Sequence, residues 1–142
     1  MSARNKPKQI MLTTYRIGAI CYFIWGVLHL PIGYSVYQGG LELESGIVRG
    51  RVLQMGFYLG IAGLVAIAIS RWNWTNNRNA YWVNLILTTA IDLGFILFLL
   101  VPGYVPLSRG LPAPIIWVLG VVFSTMGYLK ARHIRKQTLQ DY

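Results

Sequence analysis

The chain is poor in the residues that most chemistry requires. It has one cysteine, Cys21, two histidines and four acidic residues in 142 positions. A single cysteine excludes an intrachain disulfide and any cysteine-based metal site within one chain. Charged residues make up 12% of the sequence, about half the ~25% of an average soluble domain. There is no Gly-rich phosphate loop and no HExxH pair, so nucleotide hydrolysis and zincin chemistry have no sequence support. No charged repeat of a voltage sensor and no internal repeat of a secondary transporter is present. Hydrophobic residues, by contrast, account for 55% of the chain. Most of its surface must face lipid, and the length suffices for about four spanning helices of ~20 residues each.

The net charge is +9, yet it is not a nucleic-acid signal. The basic residues sit at the chain ends and in short loops, as the positive-inside rule requires, where they also meet anionic lipid headgroups. The basic start, Arg4, Lys6 and Lys8, precedes an apolar run too long for a signal peptide and without a small-x-small cleavage site. It reads as a retained first helix.

Four apolar segments follow, at about 12–37, 51–70, 80–101 and 112–129. Together they predict one domain, an all-α integral membrane protein folded as an up-down four-helix transmembrane bundle. QGGLELESGIVRGR is the one long linker. RWNWTNNRN joins the second and third segments. PGYVPLSRGLPAP joins the third and fourth, and its prolines stop one helix and start the next. With both termini inside, the inner side holds Arg4, Lys6, Lys8, Arg16, Arg71, Arg78, Lys130, Arg132, Arg135 and Lys136. The outer side holds only Arg49, Arg51 and Arg109. That bias predicts cytoplasmic termini, and with no organellar targeting signal visible the expected membrane is the plasma membrane. Trp72, Trp74, Tyr81 and Trp82 form an aromatic belt at the inner surface; Tyr104 and Tyr37 mark the outer one.

Small residues recur at helical spacing. Gly56, Gly60 and Gly63 lie on the second segment, Gly120, Ser124 and Gly127 on the fourth, and Gly18, Gly26 and Gly33 on the first. Such stripes let helices approach closely in lipid. Among them lies one residue that a membrane helix does not carry freely. Asp92 sits in TTAIDLGFILFLLV, where a carboxylate costs roughly 2.5–3.5 kcal/mol on insertion scales. It must be paired, protonated or used. Asn84, Thr88 and Asp92 fall on one face at i, i+4 and i+8, and Tyr22, Trp25 and His29 accompany the glycines of the first helix. From the rise of about 1.5 Å per residue, His29 lies roughly 21 Å and Asp92 roughly 16 Å from the inner surface. Gln54, one turn below the outer surface, reaches a similar depth, with Glu42, Glu44, Arg49 and Arg51 just above.

Three readings of this constellation stay open. Asp92 and His29 form a buried pair that fixes the bundle. Alternatively, they line a pocket open to the outer leaflet and perform acid–base chemistry on a lipophilic substrate. In the third reading they hold a ligand, ion or haem without catalysis. His133 lies in the basic tail, so a bis-histidine haem within one chain is excluded and only His29 could serve as an axial ligand. No metal site is expected otherwise. Pro31 withdraws a backbone donor from the carbonyl of Val27, which predicts a kink beside His29.

The segment GVLHL with its following glycine resembles the first helix of the small four-helix membrane proteins of the DoxX-like group. The polar-centred plan also resembles the sterol isomerase and sigma-2 receptor group, whose intramembrane carboxylates bind a cationic amine or stabilise a carbocation. The resemblance implies an integral membrane protein that binds or isomerises a small lipophilic molecule, with Asp92 and His29 as acid–base groups. Gln54, Tyr22, Trp25, Asn84, Thr88, Glu42, Glu44 and Arg49 complete the expected ligand-binding set. The alternative is a non-catalytic accessory subunit whose glycine stripes dock onto a larger membrane complex. Besides a lipophilic molecule, the partners expected are membrane lipids and either a homo-oligomer or a larger membrane complex, and a homo-oligomer would count against the accessory-subunit reading.

Overall fold

A computed structural model describes residues 6–140, with side chains described for 13–134 and for Gln137. Arg4 and the side chains of Lys6, Lys8, Arg135 and Lys136 lie outside the described residues. Helices and turns make up the described residues, with α1 Lys6–Leu41, α2 Ile47–Asn73, α3 Arg78–Phe95, a short α4 Leu107–Gly110 and α5 Pro112–Gln140. Four helices are long and apolar enough to cross a membrane: Thr13–Leu41, Ile47–Asn73, Arg78–Leu100 and Pro112–Ile134. The chain is thus a multi-pass membrane protein in architecture.

The helices outrun the apolar segments at most ends. Hydropathy marks where lipid begins, whereas a helix continues as long as its backbone hydrogen bonds do. α1 therefore runs on through Gln38–Gly40, and α5 through the basic segment after Leu129. The long first linker shrinks to a turn at 42–46, and Arg49 and Arg51 belong to α2. α1 also passes through Pro31 without interruption. At the end of α3 the backbone widens into a π-helical turn, Ile96–Leu100, with Val101 N–H donating to the Ile96 carbonyl at 2.8 Å. Pro102 follows directly, and its ring would clash with the carbonyl four residues back, Phe98.

The α2–α3 turn is built by asparagines. Asn76 takes φ 55°, a left-handed conformation that asparagine tolerates well. Asn77 then caps α3, its side-chain oxygen accepting from the backbone N–H groups of Asn79 at 2.9 Å and Ala80 at 3.1 Å. Replacing Asn77 with alanine should cost about 1 kcal/mol, measurable as a lowered thermal unfolding midpoint in detergent.

Each neighbouring pair of long helices is antiparallel. Gly26 faces Gly63 and Gly33 faces Gly60 across α1–α2, while Gly18 faces Ser124 and Gly127 faces Tyr15 across α1–α5. Tyr81 meets Thr125 and Thr89 meets Trp117 across α3–α5. α1 and α3 each pack on α2 and α5, so they lie diagonally opposite. The bundle is up-down, and α1 begins at the end where α5 finishes.

Polarity is inverted relative to a soluble protein. Leucine, isoleucine and valine side chains are exposed on every long helix. Thr14, His29, Ser70, Asn73, Asn84, Thr88, Asp92 and Ser124 are buried. In lipid the outside can be as apolar as a core, and polar groups gather where helices can satisfy them.

Candidate functional site

The bundle centre is filled from the diagonal pair. α1 contributes Tyr22 and Trp25, and α3 contributes Asn84, Thr88 and Asp92, the largest fully buried side chains. The arrangement follows from size. Diagonal helices are too far apart for short side chains to touch, so two large aromatics on α1 reach toward the small polar face of α3.

Asp92 is 1% exposed. Its Oδ2 accepts the indole N–H of Trp25 at 2.5 Å. His29 lies one turn beyond Trp25 on α1 and stacks on its ring, with centroids 3.6 Å apart and planes inclined at 26°. The His29 Nδ1 is 2.8 Å from the backbone carbonyl of Trp25. A carbonyl only accepts, so Nδ1 is the donor, and in the neutral ring Nε2 carries the lone pair. Trp25 is therefore the hinge of the cluster: its ring edge holds Asp92, its ring face carries His29, and its carbonyl fixes the imidazole tautomer. Asp92 and His29 are joined through Trp25 and not to each other. The aromatic between them was the element that depth arithmetic did not reveal, although its i, i+4 spacing to His29 places both on one face.

Toward the start of α1, a second polar level lies below this cluster. The Tyr22 hydroxyl lies beside that of Ser124, and neither has any other partner. The side-chain amide of Asn84, wholly buried, has neither its oxygen nor its nitrogen bonded. Thr88 donates to the Asn84 backbone carbonyl at 2.8 Å, which turns its hydroxyl away from that amide. One turn further, Tyr81 and Thr125 are linked at 3.1 Å, and Tyr128 stacks on Tyr81 at 4.6 Å. The Tyr81–Thr125 pair thus borders a level in which the Asn84 amide has no partner and the Tyr22 and Ser124 hydroxyls have none but each other.

The other expected site residues lie elsewhere. Gln54 is exposed near the start of α2, accepting from Arg51 at 3.3 Å and donating to the Tyr58 hydroxyl at 2.9 Å. It lines an open groove of about 240 Å³ with Met55, Leu59 and Ile91 and does not wall in Asp92. The reason is its helical face: α2 turns Gly56, Ala62, Gly63 and Ala66 inward, and residue 54 points away from them. Glu42 and Glu44 are exposed in and beside the 42–46 turn, and Arg49 is half-buried in the first turn of α2. None of the three joins the polar centre. Among the described residues no group of three metal-ligating side chains occurs. His29 is 4% exposed, with one ring face covered by Trp25.

No protein-family model, curated protein or solved structure matches the chain.

Proposed function

We propose that this chain is a membrane protein that binds a small lipophilic molecule bearing a polar head, within the bundle centre. Both termini lie on the cytoplasmic side of the plasma membrane in this reading. The observation that carries it is the wholly buried Asn84 side-chain amide, neither of whose atoms has a partner, together with the Tyr22 and Ser124 hydroxyls, which have none but each other. Buried polar atoms in folded proteins nearly always have partners, and bilayer interiors offer no bulk water to supply them. A head with both a donor and an acceptor, such as a hydroxyl, would satisfy the Asn84 amide and the two hydroxyls together. Asp92 and His29 would stand at the far side of the head as acid–base or counter-ion groups, oriented by Trp25.

Entry would be lateral, past α3. Only 17% of the apolar window of α3 is buried, against 39% for α1, so α3 is the helix least held by its neighbours. The accessory-subunit reading has less support. Its docking faces were to be the glycine stripes, and Gly18, Gly26, Gly33, Gly56, Gly63 and Gly127 already close on other helices of the same chain.

Native mass spectrometry of the protein extracted in mild detergent tests the reading. The expected result is one defined small-molecule adduct, lost in Asp92→Asn and in Asn84→Leu while both variants stay folded. Retention of that adduct by folded Asn84→Leu, or a bare wild-type protein that Asn84→Leu only stabilises, would leave the bundle centre a purely structural core.

A further inference from the structure

A larger groove opens at the other end of α2, on the lipid-facing surface between α1 and α2. Its volume is about 530 Å³, within the ~300–1,000 Å³ range of small-molecule sites. Its floor is apolar: Ala19, Ile20 and Phe23 from α1 and Ile67 from α2. Its mouth is cationic and aromatic. Arg71 lines it beside Trp74, and the Arg16 guanidinium lies over the Trp74 ring, 5.2 Å from its centroid. The groove therefore changes from hydrocarbon-like to cationic along its length, at the bundle end where α1 begins and α5 finishes.

The donors at the mouth can be narrowed further. Ser70 donates its hydroxyl proton to the Ile67 carbonyl at 2.7 Å, and Thr75 donates to the Trp72 carbonyl at 2.9 Å. Both protons are committed within the chain, which leaves the guanidinium groups and the Trp74 indole N–H to meet an anion. A guanidinium stacked on an indole keeps its N–H edge free, and that edge suits phosphate oxygens. Among the described residues the carboxylates are remote: Glu42 and Glu44 lie at the opposite end, and Asp92 is in the core.

We propose that this groove binds an anionic membrane phospholipid, with an acyl chain along Ala19, Ile20, Phe23 and Ile67 and the phosphodiester between Arg16 and Arg71. The site is separate from the bundle centre and does not depend on the function proposed for it.

The test is native mass spectrometry of the full chain in detergent supplied with equal amounts of phosphatidylglycerol and phosphatidylcholine of the same acyl composition. The wild type should retain phosphatidylglycerol preferentially. Each of Arg16→Gln and Arg71→Gln should lower that preference about fivefold, and the pair roughly thirtyfold, at the usual strength of a basic side chain near an anionic surface. Arg71→Gln leaves the Arg16–Trp74 stack intact, so it separates loss of charge from loss of packing. Ile20→Trp, which fills the groove and keeps both charges, should reduce lipid retention. Asp92→Asn should leave it unchanged, which distinguishes this site from the core. Equal retention of the two lipids by the wild type would overturn the proposal, and so would an undiminished preference in Arg71→Gln.

Discussion

Leucine at Gly26 or Gly33 is expected to force α1 and α2 apart. A Cβ at Gly26 would lie 2.6 Å from the Gly63 carbonyl oxygen, and one at Gly33 would lie 2.7 Å from the Gly60 nitrogen. The atoms met are backbone atoms, so no rotamer change relieves the clash. The helices must separate, and the dispersion contacts along the whole interface weaken together. Each substitution should cost at least the ~1–3 kcal/mol typical of overpacking, and the double variant should not fold. Gly94→Ala is the control of opposite sign. A Cβ there meets nothing within 4 Å, and alanine should stabilise the helix by up to about 1 kcal/mol. Thermal unfolding followed by circular dichroism in detergent measures both. Wild-type stability in Gly26→Leu would show that α1 and α2 do not meet along this face.

The same interface shows what was legible in the sequence. The glycine stripes identified close-packing faces, but spacing within one helix does not name the partner. The structure gives Gly26 and Gly33 to α2 and Gly18 to α5, on different sides of α1. The four spans were legible because lipid demands long apolar runs. Their ends were not, since Gln38–Gly40 and the residues after Leu129 continue helices that hydropathy had already closed. Pro102 was legible as a stop, but the π-helical turn before it was not.

In the polar centre, the Asn84–Thr88–Asp92 face was legible from its spacing of four. Asp92's partner was not. Depth along the axis brought His29 and Gln54 near Asp92, but depth carries no information about azimuth. Gln54 proved to face outward. Only a side chain long enough to cross the diagonal could reach Asp92, and Trp25 is the one that does.

Trp25→Phe should therefore be more damaging than Asp92→Asn. It removes the N–H that Asp92 accepts and leaves a carboxyl group buried in the bundle centre. Leaving a buried polar group without its hydrogen-bond partner costs about 1–3 kcal/mol, and more where that group is charged. The variant also trims the surface on which His29 stacks, and such ring pairs contribute ~0.5–1.5 kcal/mol. Asp92→Asn keeps an oxygen that can accept from the indole and should cost less, on the order of 1 kcal/mol. The decisive species is the double variant Trp25→Phe/Asp92→Leu. With both polar partners gone, neither position leaves an unsatisfied group, and the protein should be more stable than Trp25→Phe alone. Equilibrium unfolding of the wild type, Trp25→Phe, Asp92→Leu and the double variant in one detergent gives the coupling between the two positions. Additive losses would mean that the indole N–H does not hold the carboxyl group, and that Trp25 fills space without orienting the centre.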